Sequence, residues 1–285
     1  MVRSVLAALL LGMLPMPSVI QDSPTVLSQL TIAPPATSLA LNEHLSASGV
    51  IIVDVNGGQM LYGKQSDFRR PMASLTKLMT ALIIVENHAM NEWVTIPRGA
   101  GEIEGNKAYL PTGEQFTVGD LLSALLIGSA NDAGYALAIF HSGSISDFVG
   151  EMNKRTQTLG LKDTHYANPV GLDSSQQWST PRDLAWLATF VMRTPEIYER
   201  LSRSGQRIWS RSGYEISLSH THALMHADTP VIAGKTGTTL SAKQCLLSLV
   251  EIEEKEMLVV LMHSSQRYVD MKIILDAIEE NTPLM

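Results

Sequence analysis

The spacing of apolar residues along the chain changes period several times, and each change marks an element. Gly49 to Val55 is β-rich, with Val50-Ile51-Ile52-Val53 at its centre. Asn56-Gly57-Gly58 is a strong hairpin turn, and Met60-Leu61-Tyr62 returns as a second strand. Residues 74–90 then follow helical spacing through Leu78, Leu82 and Val85, which predicts a largely buried helix. Val94-Thr95-Ile96-Pro97 reads as a short strand, and Gly99 to Gly113 as a glycine-rich loop.

Val118 to Ile127 is helical, and the chain breaks at Gly128-Ser129-Ala130-Asn131-Asp132 before Ala133 to His141 resumes as a helix. The break puts small polar residues on a tight turn between two apolar helices. An ordinary turn with Asn131 or Asp132 as cap is the plain alternative. Further helices are expected from Ser146 to Leu159, from Ser179-Thr180-Pro181 to about Met192, and from Pro195 onward. Arg207 to Ser210 looks like a short strand. Val231 to Thr239 is an apolar strand, and Leu246–Ile252 with Met257–Met262 forms a hairpin that turns at Glu253-Glu254-Lys255-Glu256. Arg267 to Glu280 closes the chain as an amphipathic helix. The outer parts thus supply strands and a helix, and the middle is expected to be mainly helical.

Composition narrows the class. At 45% hydrophobic and 17% charged residues the chain has ample material for a globular core. The net charge of −7, with no basic run longer than Arg69-Arg70, argues against a nucleic-acid partner. The N-terminus reads as an export signal over residues 1–20, with Arg3 ahead of an apolar stretch from Val5 to Leu14. That stretch is short of the roughly 20 residues that span a bilayer. No clean Ala-x-Ala site follows, so an uncleaved anchor, with membrane attachment through the N-terminus, is the alternative. Residues 21–43 are rich in Pro, Ser and Thr and read as a linker. The lone Cys245 lies in an apolar run and is expected to be a buried, inert thiol.

Candidate chemistry begins at Ser74 and Lys77. Three apart at a helix start, they fall on one face. A serine hydroxyl needs a base beside it, and lysine is a base only when neutral. At an ordinary pKa only about 0.04% is neutral at pH 7. Such a site must therefore bury Lys77 or set other cations near it. Alone, the pair reads more readily as a helix cap with an exposed lysine. Ser129-x-Asn131 on the inter-helix turn and Lys235-Thr236-Gly237 on a strand complete an ordered set in suitable contexts. His220, His222 and His226 cluster in sequence, but no companion cysteine or spacing fixes a metal geometry, and no metal is expected.

The segment Ala73-Ser74-Leu75-Thr76-Lys77-Leu78-Met79-Thr80 resembles the active-site helix of the D-alanyl-D-alanine carboxypeptidases, the low-molecular-weight penicillin-binding proteins of serine peptidase family S11. Phe148-Val149 with Met152-Asn153, Leu159-Gly160-Leu161, Asn168-Pro169 with Gly171-Leu172-Asp173, and Ser179-Thr180 with Asp183-Leu184-Ala185 are similar to that family too. The likeness covers roughly residues 45–280. It implies a β-lactamase/transpeptidase-like α/β fold: an antiparallel sheet flanked by helices, with an all-helical subdomain. The catalytic domain would be 44–285, with its α/β part at 44–73 and 226–285 and its helical part at 74–225.

The resemblance also implies roles. Ser74 attacks the carbonyl of a terminal D-Ala-D-Ala bond, Lys77 takes its proton, Ser129 relays a proton to the leaving D-alanine, and Asn131 holds Lys77 and the substrate amide. Lys235 and Thr236 bind the free carboxylate, Gly237 lets the substrate add to the strand edge, and the N–H groups of Ser74 and Thr238 form an oxyanion hole. Arg267 is a second carboxylate ligand, or else a helix-surface residue. The implied substrate is a peptidoglycan stem peptide, β-lactam antibiotics are the implied inhibitors, no cofactor is needed, and the place of action is the cell-wall space, with a part in wall synthesis and cell shape. A D,D-endopeptidase, a β-lactamase and a silent wall-binding module are the rival readings. Three departures stand out. His220-Thr221-His222 replaces an expected Asn. No Glu-x-x-Leu-Asn follows Ser129. The chain stops at Met285 with neither a further β-domain nor an anchor helix.

Overall fold

The computed structural model describes residues 39–41 and 44–281. The expected export signal and nearly all of the expected linker lie outside them. A five-stranded antiparallel sheet runs in the order β2-β1-β9-β8-β7. Its strands are β1 (Gly49–Asp54), β2 (Gln59–Lys64), β7 (Val231–Thr239), β8 (Lys243–Ile252) and β9 (Lys255–Ser264). Between β2 and β7 lie helices α1 (Lys77–Asn87), α2 (Val118–Leu126), α3 (Asn131–Ser142), α4 (Ile145–Leu159), α5 (Pro181–Met192) and α6 (Pro195–Leu201). Helix α7 (Arg267–Asn281) follows β9.

The two-residue period of the strands sorts the core into two layers. Val50, Ile52, Leu246, Val250, Val259 and Leu261 face α7 and pack on Met271, Ile274 and Ile278. Ile51, Val53, Leu247, Leu249, Leu258 and Val260 face the helical part and join its much larger core. Covered on both faces, β1 has no polar alternate, which is why it reads as an unbroken apolar run. Helix starts follow their caps: Thr117, Ser144 and Thr180 accept from the N–H of Asp120, Asp147 and Asp183.

Several boundaries differ from the sequence reading. Helix α1 ends at Asn87 rather than at residue 90, and Ala73–Thr76 ahead of it is a tight 3-10 turn. Two small hairpins interrupt the helical middle. One pairs β3 (Trp93–Thr95) with β4 (Gln115–Thr117), and the other pairs β5 (Gly205–Trp209) with β6 (Glu215–Ser219). The β4 and β6 strands carried too few alternating apolar residues to stand out. Leu39 and Leu41, inside the expected linker, pack against the α7-side core, and the Leu39 N–H donates to Leu61 O at 2.8 Å. Among the described residues no helix is long and apolar enough to cross a membrane.

Asp270, 1% exposed in the first turn of α7, ties three separate segments. Its carboxylate accepts from the N–H of Ser46 (2.6 Å) and Ala47 (2.9 Å) and from the hydroxyls of Ser46 (2.8 Å) and Ser264 (2.6 Å). Asp270→Ala would leave these donors buried and unpaired. A loss of about 2–4 kcal/mol is expected, read as a lower urea midpoint. An unchanged midpoint would refute the role.

Candidate active site

The centre of the molecule is the 3-10 turn that presents Ser74. Ala73 sits there at φ +47°, a left-handed value uncommon for alanine. Two glycines make room for it. A Cβ on Gly171, at φ +93°, would stand 2.0 Å from Ala73 O. A Cβ on Gly237 would stand 2.9 Å from both Ala73 Cβ and Ser74 N. The turn is further held by Thr76 Oγ1, which donates to Ala73 O at 2.8 Å, and by Thr80 Oγ1, which donates to Pro169 O at 2.6 Å.

One turn on, Lys77 is fully buried, with Nζ 2.8 Å from Ser74 Oγ and 2.6 Å from Val170 O. Burial, and then the charge of Lys235, hold the Lys77 ammonium well below its ordinary range, while Asp132 acts the other way. Lys235, also fully buried, donates from Nζ to Ser129 Oγ at 2.7 Å and to Thr236 O at 3.0 Å. Burial and Arg267 push it down to about 7. Ser129 occupies the α2–α3 turn at φ +55°.

Ser74, Ser129, Asn131, Thr236, Gly237, Thr238 and Arg267 line one cleft of about 750 Å³, and Lys77 and Lys235 lie beneath it. The cleft runs along β7, whose outer edge is unpaired because β7 ends the sheet. The sequence-derived residues thus converge, though three make contacts other than those expected. The Asn131 amide donates to Glu104 O, not to the Lys77 side chain, and the carbonyl of Val170 takes that place. Gly237 is required first for packing against the Ser74 turn. Arg267 donates to Gly237 O and Cys245 O, both at 3.0 Å, and to Thr238 Oγ1 at 2.9 Å, so it braces the end of β7 as well as facing the cleft.

The sequence alone assigns no role to other residues of the site, although Asp173 lies in one of the family-like segments and Thr221 in the departing stretch. The rim Glu104-Gly105-Asn106 is stitched to α3 through Asn131 N, which donates to Asn106 O at 2.7 Å. Thr221 meets Thr236 hydroxyl to hydroxyl at 2.7 Å. Asp173 bridges the opposite wall, accepting from Thr239 Oγ1 at 2.6 Å and from Ser241 N at 3.0 Å.

The histidines of residues 220–226 point to separate partners. His222 Nε2 lies 2.8 Å from Ser248 Oγ, and His226 Nε2 lies 2.8 Å from His220 O. Burial pushes His220 and His222 down to about 3, so both rings are neutral at pH 7. Among the described residues no group of His, Cys, Asp or Glu is arranged to hold a metal ion. Buried Cys245 is pushed up to about 11, as an inert thiol would be.

A serine within hydrogen-bonding reach of a dehydrated lysine, beside an open strand edge, is the arrangement that lysine-assisted serine acyl transfer requires. Comparison with known proteins narrows this. The D-alanyl-D-alanine carboxypeptidase family, peptidase family S11, matches residues 35–266, and the chain belongs to it. It is 33% identical to the D-alanyl-D-alanine carboxypeptidase DacF of Bacillus subtilis over 227 residues, which is 76% of this chain and 58% of that one. It is 29% identical to a D-alanyl-D-alanine endopeptidase of Pseudomonas aeruginosa, covering 82% of this chain and 77% of the relative. The crystal structure of the Streptomyces K15 DD-transpeptidase superposes with a TM-score of 0.78 at 26% identity, over 84% of this chain and 98% of that one.

The buried lysines carry a stability cost with a defined sign. The folded form of Lys235 titrates near 7 and the unfolded form near 10.5. Below about pH 7 both forms are charged and the penalty for the buried charge is complete. Between pH 7 and 10.5 the unfolded chain holds the extra proton, so stability rises with pH. Lys235→Met should therefore be more stable than the parent at pH 6–7, with the gain shrinking towards pH 10 in thermal melts. A gain that grows with pH would contradict this assignment. Gly171→Ala, by contrast, should fold less stably and lose at least ~100-fold in labelling of Ser74 by fluorescent penicillin, since the added carbon overlaps Ala73 O. Labelling at the parent rate would show that the turn tolerates the displacement.

Proposed function

We propose that this protein is a serine-type D-Ala-D-Ala carboxypeptidase that removes the terminal D-alanine from peptidoglycan stem peptides through an acyl-enzyme on Ser74. The observation that carries the reading is the 2.8 Å approach of Ser74 Oγ to the fully buried Lys77 Nζ in a family S11 fold. Neutral Lys77 accepts the Ser74 proton as Oγ bonds to the carbonyl carbon of the penultimate D-alanine. The developing oxyanion faces the N–H groups of Ser74 and Thr238, which the close packing of Gly237 keeps together. The C–N bond then breaks, and the amine of the terminal D-alanine takes a proton by way of Ser129, which Lys235 orients. Water cleaves the resulting ester and restores Ser74. Asn131 places the substrate amide against the edge of β7.

Recognition of the free carboxylate falls to Lys235, Thr236 and Arg267. Lys235 and Arg267 are the cations of this site, and Thr236 adds a hydroxyl. β-Lactams, as strained acyl donors of the same shape, act as inhibitors. The enzyme works outside the cytoplasm, in the cell-wall space, exported by residues 1–20 and attached to the membrane there if that segment is not cleaved. The similarity to an endopeptidase, which extends over more of both chains than that to DacF, supports cleavage of cross-links as the second reading.

Incubation with penicillin should add one drug mass to the peptide that carries Ser74, and Ser74→Ala should abolish it; undiminished labelling of that variant would overturn the mechanism. The bond specificity needs a paired assay on a pentapeptide and a purified cross-linked dimer. Release of D-alanine from the pentapeptide is expected, with a 10–150-fold fall in kcat/KM (roughly, from the loss of a charge-assisted bond) on Arg267→Ala. Cleavage of the dimer alone would establish the endopeptidase.

A further inference from the structure

Asp132 directly follows Asn131, and its side chain is 0% exposed. An acidic residue in the first turn of a helix is unremarkable on a surface, where it is worth under about 1 kcal/mol. A fully buried carboxylate is another matter, because its charge needs compensation. Here the carboxylate accepts three N–H bonds, from Ala108, Leu110 and Ala133, each at 3.0 Å. Two of these belong to the chain that continues from the cleft rim. Among the described residues Asp132 forms no direct salt bridge.

The site around it is short of negative charge. Lys77 and Lys235 are both fully buried, and their direct partners are two hydroxyls and two carbonyls. Arg267 adds a third cation from the end of α7. Glu104 and Asp173 line the cleft on its exposed rim, where water screens them. Asp132 is the buried acid whose charge acts on Lys77, and it opposes the neutralisation that burial and Lys235 impose.

Building on the reading of Lys77 as base, we infer that Asp132 is a positioning residue of the reaction: its buried carboxylate pins the 104–110 rim to the start of α3 and supplies the negative charge that sets how acidic a solution the Lys77–Ser74 pair tolerates. Without that charge the lysine gives up its proton more readily. The base then stays neutral to lower pH, although the rim that seats the substrate loosens.

The test is the pH profile of the second-order rate of Ser74 acylation by fluorescent penicillin. Asp132→Asn should slow acylation at pH 7, through the loosened rim, and move the acid limb down by about half a pH unit or more. Asn106→Ala, which removes a rim bond from the Asn106 amide to Gly128 O without altering charge, should slow acylation and leave the limb in place. If the Asn variant does not fold, Asp132→Glu serves: it keeps the charge, so the rate should fall and the limb should hold. An acid limb unmoved in Asp132→Asn, or displaced equally in Asn106→Ala or in Asp132→Glu, overturns the inference. Absence of Ser74 labelling in the parent protein would instead remove the proposed function on which it rests.

Discussion

A lysine ammonium withdrawn from water is the constraint on which the rest depends. Lys77 is useful as a base only if its proton is weakly held, and the fold arranges this by position rather than by a partner acid. Helix α1 carries the side chain inward from the first turn, the sheet closes one side, and among the described residues its hydrogen bonds go to the carbonyl of Val170 and the hydroxyl of Ser74. Placing Lys235 beneath the same floor adds a like charge, which pushes the Lys77 proton off further. Such a pair is costly to bury, and the large apolar core on the helical side of the sheet is what sustains it.

Much of the architecture was legible because the strands and helices that bury one or both faces leave strong periodic patterns. The five sheet strands and the long helices fall where the spacing placed them, within a few residues. The short β4 and β6 strands did not, since three to five mostly polar residues in a two-stranded hairpin carry no period worth reading. The Ser74, Ser129 and Lys235 motifs were readable as a set because they stand in order, each in a fitting context of helix start, inter-helix turn and strand. Their supporting contacts were not. The Val170 carbonyl is a backbone group, and any residue at 170 would supply it. Asp173 stands in a family-like segment and Thr221 in the departing one, but neither has a contact assigned until the chain folds them against β7.

The stretch His220-Thr221-His222, where an Asn was expected, shows how a local change is accommodated. A neutral imidazole there reaches Ser248 across the sheet, and Gly234 leaves it space, since a Cβ at 234 would lie 2.6 Å from the ring. The ring at 222 therefore depends on the missing side chain of Gly234, which lies directly against it and pairs in register with Ser248. The hydrogen bonding that the sequence left open is met only in part: among the described residues His220 Nε2 and His222 Nδ1 are buried without a hydrogen-bond partner, and both rings are held neutral.

The open edge of β7 has a consequence beyond reactivity. A strand with free N–H and C=O groups accepts any extended chain, including a second sheet of the same kind. The edge here lies at the bottom of a trench, with Glu104 to Asn106 on one bank and Gly171 to Asp173 on the other. A single flexible peptide can descend into that trench, whereas a broad, stiff sheet cannot. The walls that shape the cleft thus also act as a sieve on geometry, and they keep an adhesive edge from becoming a seam between molecules.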